Sequence, residues 1–466
     1  MRKILLFALF LSSLLWNAAA HAQERCVEVT LTEAGTLEEV MADRSQLFES
    51  IYVSGPMDGW DIEYIRYTSE KYKRLLYVDL SNATFKNDSF PEWGLSNSYT
   101  ITEIKLPDSL KKIGERAFYS TSIRKINLPN SLEEMGEMVF EQSEISGTLT
   151  IPEGVKKIPD SAFLNTDINF VRMFDVEEIG DLAFSQIGVL RLFPLNDMMV
   201  KRIGKGAFKK TFFKYGVQTL DLSKVEFIDE EAFYGAFVSL IFADKNGNSV
   251  LEEIAPRLNK NNKRQPALRL GRSIRKIGEE AFSGNSNLRK LIFFTDKIDE
   301  IGIKAFEYTS IDTLALPKET GVLRSNAFAD IPTLKEIYCP CAVPPVNEDA
   351  FGGLTPNDIP VYIPVGTLEA YRNAPGWDYF TNFVEFAGFP GQSGIEDAVA
   401  DGADAVRVYA EGGRLRITGV EPGTRYTVYT VDGAMISSGI AEAPAALPAG
   451  AVYVVKVDGK GYKVKI

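Results

Sequence analysis

From residue 101 to residue 386 the apolar positions of the chain follow two rhythms in turn. One is a short alternation of apolar and polar residues, as in "EIKLP", "KINLP", "TLTIP", "TLDLS", "TLALP" and "VYIP". Period-two alternation predicts a brief strand with one buried face. A proline after it has no N–H to give to a ladder and closes the strand. The other rhythm is "KKIGERAF", which returns as "EEMGEMVF", "KKIPDSAF", "EEIGDLAF", "KRIGKGAF", "EFIDEEAF", "RKIGEEAF", "DEIGIKAF" and "GVLRSNAF". Each copy has an apolar anchor, often a glycine, and then a small residue before phenylalanine. The glycine is expected to supply a turn conformation barred to other residues. The alanine is expected to let neighbouring backbones approach, and the phenylalanine to fill the interior.

The phenylalanines stand at 118, 140, 163, 184, 208, 233, 282, 306, 328 and 351, so the period is close to 23 residues. The interval from 233 to 282 is two periods long, and "LEEIAPRLN" lies where the missing copy belongs, with Leu258-Asn259 in place of Ala-Phe. Self-similarity at this length predicts a solenoid in which each unit leans on its neighbours. Eleven to twelve stacked strands about 4.8 Å apart give a rod roughly 50–60 Å long, with the phenylalanines in one buried column. The Asn259 rung is expected to be its weakest point, with "NKNNKRQ" as an exposed loop.

The ends of such a rod need covers. Residues 23–100 read as the first cap and 101–386 as the solenoid. In its terminal cap, Leu368, Tyr371 and Trp377 follow the final "VYIP" strand. Residues 387–404, rich in Gly, Ala, Asp and Ser, read as a linker. Residues 405–466 alternate in short runs around Asp432-Gly433 and Asp458-Gly459, which predicts hairpins in a small all-β sandwich. Residues 1–22 read as a secretory signal peptide: Arg2-Lys3, an apolar run, then Ala20-His21-Ala22. The apolar run is too short to span a membrane, which takes about 20 residues. The mature chain is expected outside the cytoplasm, without membrane insertion.

Charge and composition narrow the chemistry. The chain carries 63 acidic against 51 basic residues, for a net of −12, and loss of Arg2 and Lys3 makes it more acidic still. A chain with this balance makes no electrostatic case for nucleic acid. Its one histidine, His21, leaves with the signal segment, so the mature chain has no Ser-His-Asp or Cys-His arrangement and no His-ligated zinc. Acidic pairs such as Glu133-Glu134, Glu177-Glu178 and Glu252-Glu253 recur at one repeat position and read as a solvated corner rather than a glycosidase pair. Cys26, Cys339 and Cys341 do not make a disulfide framework, and the last two read as small apolar strand residues. A non-enzyme without cofactor or metal is expected.

The "I-G-x-x-A-F" units with their "L-x-I/L-P" strands resemble the BspA-type leucine-rich-repeat family over about residues 100–386. "AGTLEEV" with "VSGPMDGWDIEYIR" and "YVDLSNA" is similar to that family's amino-terminal cap, and "VYIPVGTLEAYRNAPGW" to its terminal rung. The tail, with "YTVYTVDGAMISSG" and "LPAGAVYVVKVDG", resembles the carboxy-terminal sorting domains of type IX secretion, apart from an extra Ala451. The first resemblance implies a leucine-rich-repeat solenoid, exported by anaerobic bacteria, that adheres to host or bacterial surface macromolecules. The second implies secretion or an outer-membrane-associated, cell-surface location.

A repeat also says where a partner would sit. In each strand the residue between two buried positions points outward. Along the rod this column reads Lys105, Asn127, Thr150, Arg172, Arg191, Asp221, Ile241, Arg269, Ile292, Ala315, Tyr338 and Tyr362. Exposed arginines and aromatics are the usual energetic centres of protein interfaces. Arg172, Arg191, Arg269, Ile292, Tyr338 and Tyr362 are therefore the candidate binding residues, for a protein partner of a monomeric rod. Two alternatives stay open: a purely structural surface protein, or glycan capture with Trp60, Trp93 and Trp377 as sugar platforms. The expected role of these tryptophans is packing within the caps.

Overall fold

The computed structural model describes residues 25–389 except 45, 194–198 and 214–218, and, within 407–465, the strands together with Thr424, Ala441 and Leu447. The expected leader and most of the expected linker lie outside the described residues. The rest of 25–389 is a succession of rungs in which parallel strands stack on one another. On one face run Cys26–Thr30, Ser50–Met57, Tyr77–Phe85, Glu103–Lys105 and Lys125–Ile126, followed by Ser146–Thr150, Asp167–Arg172 and Arg191–Phe193. Thr219–Asp221 pairs with Ser239–Ile241, and a six-stranded sheet from Ala267–Leu270 to Phe383–Glu385 completes this face. We call it the strand face. A second face carries mostly two-residue strands at the anchor position, from Ser89–Phe90 to Val346–Asn347.

The cap and the rungs are one construction. The first three strand-face strands belong to the residues expected to cap the rod; each pairs in parallel with the next, and the third pairs with the first repeat strand. Two helices, α1 (Leu37–Met41) and α2 (Gly59–Tyr72), occupy the return path there. The buried carboxylate of Asp61 holds them together, accepting the backbone N–H groups of Gly35, Leu37 and Asp58 at 2.7, 2.9 and 3.0 Å. At the other end α3 (Leu368–Arg372) buries Tyr371, and Trp377 is buried behind it. One further strand, Phe383–Glu385, pairs with Val361–Ile363, so "VYIP" is not the final rung.

The phenylalanines form the expected column. Successive rings from Phe90 through Phe118, Phe140, Phe163, Phe184 and Phe208 to Phe233 lie 5.1–5.5 Å apart and nearly parallel. The stack resumes from Phe282 to Phe351 and ends against Trp377 and Phe380. Ring spacing follows the rung spacing, so within each stretch a phenylalanine packs on both neighbours.

The glycine works differently from expectation. A Cβ on Gly136 would lie 2.3 Å from the backbone N of Glu115, and one on Gly302 2.7 Å from the carbonyl carbon of Gly278. Neither has positive φ; close approach of the preceding rung excludes a side chain there. The left-handed conformations fall two residues before and after each phenylalanine, as at Arg116 and Ser120 (both φ 52°) or Lys304 and Tyr308. The backbone between them donates alternate N–H groups to the next rung, as in Phe118 N–H to Val139 O at 3.0 Å. Rung-to-rung hydrogen bonds offset the strain of these positions.

The acidic pairs are also more than a solvated corner. Charge alternates from rung to rung on the second face, and the rungs pair across it. Lys112 meets Glu134 at 2.8 Å, Lys157 meets Glu178 at 2.9 Å, and Lys201 meets Glu177 at 2.8 Å. Arg324 bridges Glu300 and Glu348 at 3.0 and 2.8 Å. Each exposed pair is worth little alone, but like charges directly opposite would repel.

At Asn259 the construction changes. No sheet crosses this point on either face: one second-face sheet ends at Phe227–Ile228 and the next begins at Glu253–Ile254. The "NKNNKRQ" segment is not simply an exposed loop, because Asn259, Asn262 and Gln265 are fully buried. Gln265 stands in for a missing strand: its Oε1 accepts Leu240 N–H at 2.7 Å and its Nε2 donates to Leu240 O at 3.0 Å. Asn262 Nδ2 donates to Asn259 Oδ1 at 2.9 Å, whereas Asn259 Nδ2 is buried without a partner. Leu258-Asn259 occupy the Ala-Phe positions because side-chain amides complete there what ring stacking completes elsewhere.

In the tail Arg407–Glu411 and Arg414–Thr418 form one antiparallel pair. Arg425–Thr430 lies between Met435–Ile440 and Val452–Val457 in a four-stranded antiparallel sheet that ends with Lys460–Lys465. Leu415, Tyr426, Val428, Val455 and Val464 belong to a core separate from that of the rod. The expected turn residues Asp432-Gly433 and Asp458-Gly459 lie outside the described residues, but the strands flanking them pair as hairpins require.

Phe184→Ala or Phe208→Ala is expected to cost about 3–5 kcal/mol, measured by denaturant unfolding, because each ring loses two stacked neighbours. Amide hydrogen exchange should be fastest across residues 228–253, where both ladders are interrupted; uniform protection from there to residue 277 would contradict the seam. Acid should weaken the rod. Hydrogen bonds from Arg124, Lys201, Lys209 and Arg324 hold Glu144, Glu177, Glu231 and Glu300 below the ordinary carboxylate range. A carboxylate held low stabilises the fold above its unfolded value and loses that contribution as pH falls through the folded one. The thermal midpoint should therefore fall as pH is lowered below about 4, and a midpoint that is flat there would contradict the ladder.

Candidate functional site

The strand face is a regular surface whose outward side chains are not consumed by packing. Alternation buries Ile104, Leu149, Val171, Leu268, Ile337 and Val361 and turns their neighbours outward. Register fixes which outward residues meet. Lys105 lies opposite Asp79, Thr150 opposite Arg172, Asp221 opposite Ile241, Arg269 opposite Ile292, and Tyr338 opposite Ala315 on one side and Tyr362 on the other. Lys105, Arg172, Arg191 and Asp221 are exposed, while Arg269, Ile292, Tyr338 and Tyr362 are half-buried.

Arg191 is displaced from the expected column. Phe170 lies opposite Arg191, and Phe193 opposite Arg172. The six-residue strand Asp167–Arg172 carries an irregularity between Ile168 and Phe170 in its pairing with the preceding rung, Ser146–Thr150, whereas its pairing with Arg191–Phe193 is regular but offset by two residues from the expected column. Arg191 therefore lies in a second outward row with Phe170, and Lys290 lies opposite Ala267, two residues before Arg269. The Arg172 guanidinium lies 5.5 Å from the Phe170 ring.

Charge is distributed unevenly along this face. Near the amino terminus the cations are neutralised: Lys105 pairs with Asp79 at 3.4 Å and Lys125 with Glu103 at 2.8 Å. Among the described residues Arg172, Arg191, Arg269 and Lys290 form no ion pair. Lys290 was missing from the sequence-derived candidates, although the alternation of "KLIF" signals it.

The aromatic end is a packed cluster. Tyr338 and Tyr362 stack at 4.5 Å, and Phe386 leans on both at 6.0 and 5.4 Å. Tyr338 donates to Glu336 Oε2 at 3.1 Å, and burial raises its hydroxyl well above the usual phenol value. The contribution of Phe386 is not visible in the repeat, since it comes from the rung beyond "VYIP".

The tryptophans divide. Trp377 is fully buried and donates from Nε1 to Pro345 O at 2.8 Å. Trp60 and Trp93 do not pack inside the cap as expected: they are 77% and 48% exposed. Trp60 opens α2 on the side opposite its buried Ile62 and Ile65, and the Arg116 guanidinium covers Trp93 at 4.7 Å. Cys339 and Cys341 are buried beside the Tyr371 hydroxyl, which lies 3.2 Å from Cys339 Sγ and donates to Cys341 O at 2.8 Å. Burial raises the Cys339 thiol, and a contact from Cys339 lowers that of Cys341. No group of three or more His, Cys, Asp or Glu suited to a metal ion occurs among the described residues, and no described helix is long and apolar enough to cross a membrane.

Six copies of the BspA type leucine-rich repeat region match this chain, over residues 77–191, 201–330 and 252–371. Among solved structures, a leucine-rich repeat protein from Bacteroides ovatus is 19% identical, covering 67% of this chain and 92% of that one with a TM-score of 0.40. One from Eubacterium ventriosum is 16% identical, covering 61% and 84% with a TM-score of 0.38. A leucine rich cell surface protein from Faecalibacterium prausnitzii is 19% identical, covering 73% and 84% with a TM-score of 0.33. No curated protein matches the chain. The repeat, its stacked phenylalanines and the family match agree, and the chain belongs to the BspA-type leucine-rich-repeat family.

Proposed function

We propose that the protein acts outside the cytoplasm as an adhesive rod that binds a protein partner along its strand face. One observation carries this reading: a net acidic chain presents arginines that form no ion pair among the described residues, together with a stacked tyrosine pair, on an extended, regular surface. Membership of a repeat family of surface proteins supports it, as does the leader-like start of the sequence. The binding is expected to need no catalytic step, metal or cofactor. The antiparallel tail is proposed to act as the export or sorting signal. Exposed Trp60 favours a second reading, in which the amino-terminal cap stacks on a sugar ring.

Attachment of the purified chain to intact bacterial or host cells, or to extracellular matrix proteins, tests the main reading. Tyr338→Ala or Tyr362→Ala should weaken binding by about 2 kcal/mol or more. Arg172→Gln, Arg191→Gln and Arg269→Gln should act mainly on the association rate and its salt dependence. Unchanged affinity when all five side chains are replaced in a folded protein would move the site off this face. Loss of polysaccharide binding in Trp60→Ala alone would favour the sugar reading instead. Deleting residues 390–466 should leave the rod inside the producing cell; its normal appearance in the surface fraction would refute the sorting role.

A further inference from the structure

We infer that the middle of the strand face takes an acidic protein segment laid along the rod axis. The inference rests on the strand-face reading above and names the chemistry of its partner. On the second face, charge is settled between rungs at several positions: Lys111, Lys156, Lys201 and Lys276 each pair with an acid one rung away. The same device operates on the strand face itself at Lys105 and Lys125. It stops at the middle rungs. Arg172 and Arg191 sit on neighbouring rungs, and so do Arg269 and Lys290, and among the described residues none of the four has an ion-pair partner.

The two basic pairs flank the rungs of Thr219–Asp221 and Ser239–Ile241. With rungs about 4.8 Å apart, Arg172 and Arg269 are roughly 19 Å apart along the axis, the reach of about six extended residues. The acids on this stretch are Asp167 and Asp221. Asp221 turns its carboxylate back on its own backbone, accepting Ser223 N–H at 2.9 Å. A solvated cation that forms no pair in the free protein gives up little to bind a carboxylate, and guanidinium groups match carboxylates in a two-point contact.

Between the charges lie Phe170, Ile241 and Ile292, half-buried and aliphatic or aromatic. A peptide that alternates acidic and apolar side chains matches this surface. An anionic polysaccharide would gain more from exposed indole rings, and Trp60 and Trp93 lie away from this face, on α2 and on the turn before Leu95.

The test uses the secreted chain from Gln23 with fluorescein-labelled poly-L-glutamate, read by anisotropy at low and at physiological salt. Heparin serves as the polysaccharide comparison. Binding of poly-L-glutamate should weaken with salt and fall at least about tenfold in Arg172→Gln/Arg191→Gln/Arg269→Gln/Lys290→Gln. It should be unchanged in Lys111→Gln/Lys156→Gln/Lys201→Gln, whose lysines are already paired. Absence of poly-L-glutamate binding, equal losses in both variants, or tighter binding of heparin would each overturn the acidic-peptide partner. If the first variant loses attachment to cells while poly-L-glutamate never binds, the strand-face reading stands and only the acidic partner falls. If that variant retains both, both fall.

Discussion

Backbone hydrogen bonding between parallel rungs sets one spacing for the whole rod, and every other contact is built to that step. The phenylalanine rings follow it at 5.1–5.7 Å, which is ordinary offset-stacking distance. The glycines follow it because a Cβ would strike the backbone of the rung before. The charges follow it as well: a side chain that meets its equivalent one step away must alternate in sign or repel. A solenoid thus turns a single distance into constraints on several residue positions per repeat.

The seam at Asn259 shows what happens when one of those positions is not met. Ring stacking is broken and both sheets stop, yet the rungs stay joined. Phe233 N–H still donates to Leu258 O at 2.8 Å, and Arg257 reaches back to Glu230 and Glu231, both at 3.0 Å. Buried amides replace apolar packing with directional bonds and leave some donors unsatisfied, a trade that costs stability. Nearest-neighbour coupling keeps that cost local. The rod therefore consists of two well-stacked stretches joined through a polar junction, and the basic rungs of the strand face lie on both sides of it.

The proposed function concentrates where the repeat leaves freedom. Inward positions are committed to the core and second-face positions to ion pairs. Only the outward strand residues can vary without penalty to the stack. Those residues are neutral or paired near the amino terminus, include four cations without an ion pair among the described residues in the middle, and are aromatic at the far end. The stacking of Tyr338, Tyr362 and Phe386 pre-orders the aromatic end, so a partner would meet a fixed surface and lose less entropy in binding it.

Read by itself, the sequence determined the period, the inward phenylalanines, the outward column and the need for caps, because these depend on local alternation and on repetition. Even the alternation of "KK" and "EE" at the anchor was legible, although its meaning as a ladder was not. Pairing between rungs was decided by the tertiary structure. It made the glycine a point of close approach, drew Asn259, Asn262 and Gln265 inside, carried the rungs back to Cys26 and forward to Glu385, and moved Arg191 beside Phe170. The physical reason is that local pattern tells which way a side chain faces. Which residue it meets depends on register across some 23 intervening residues, and a single strand irregularity shifts that register.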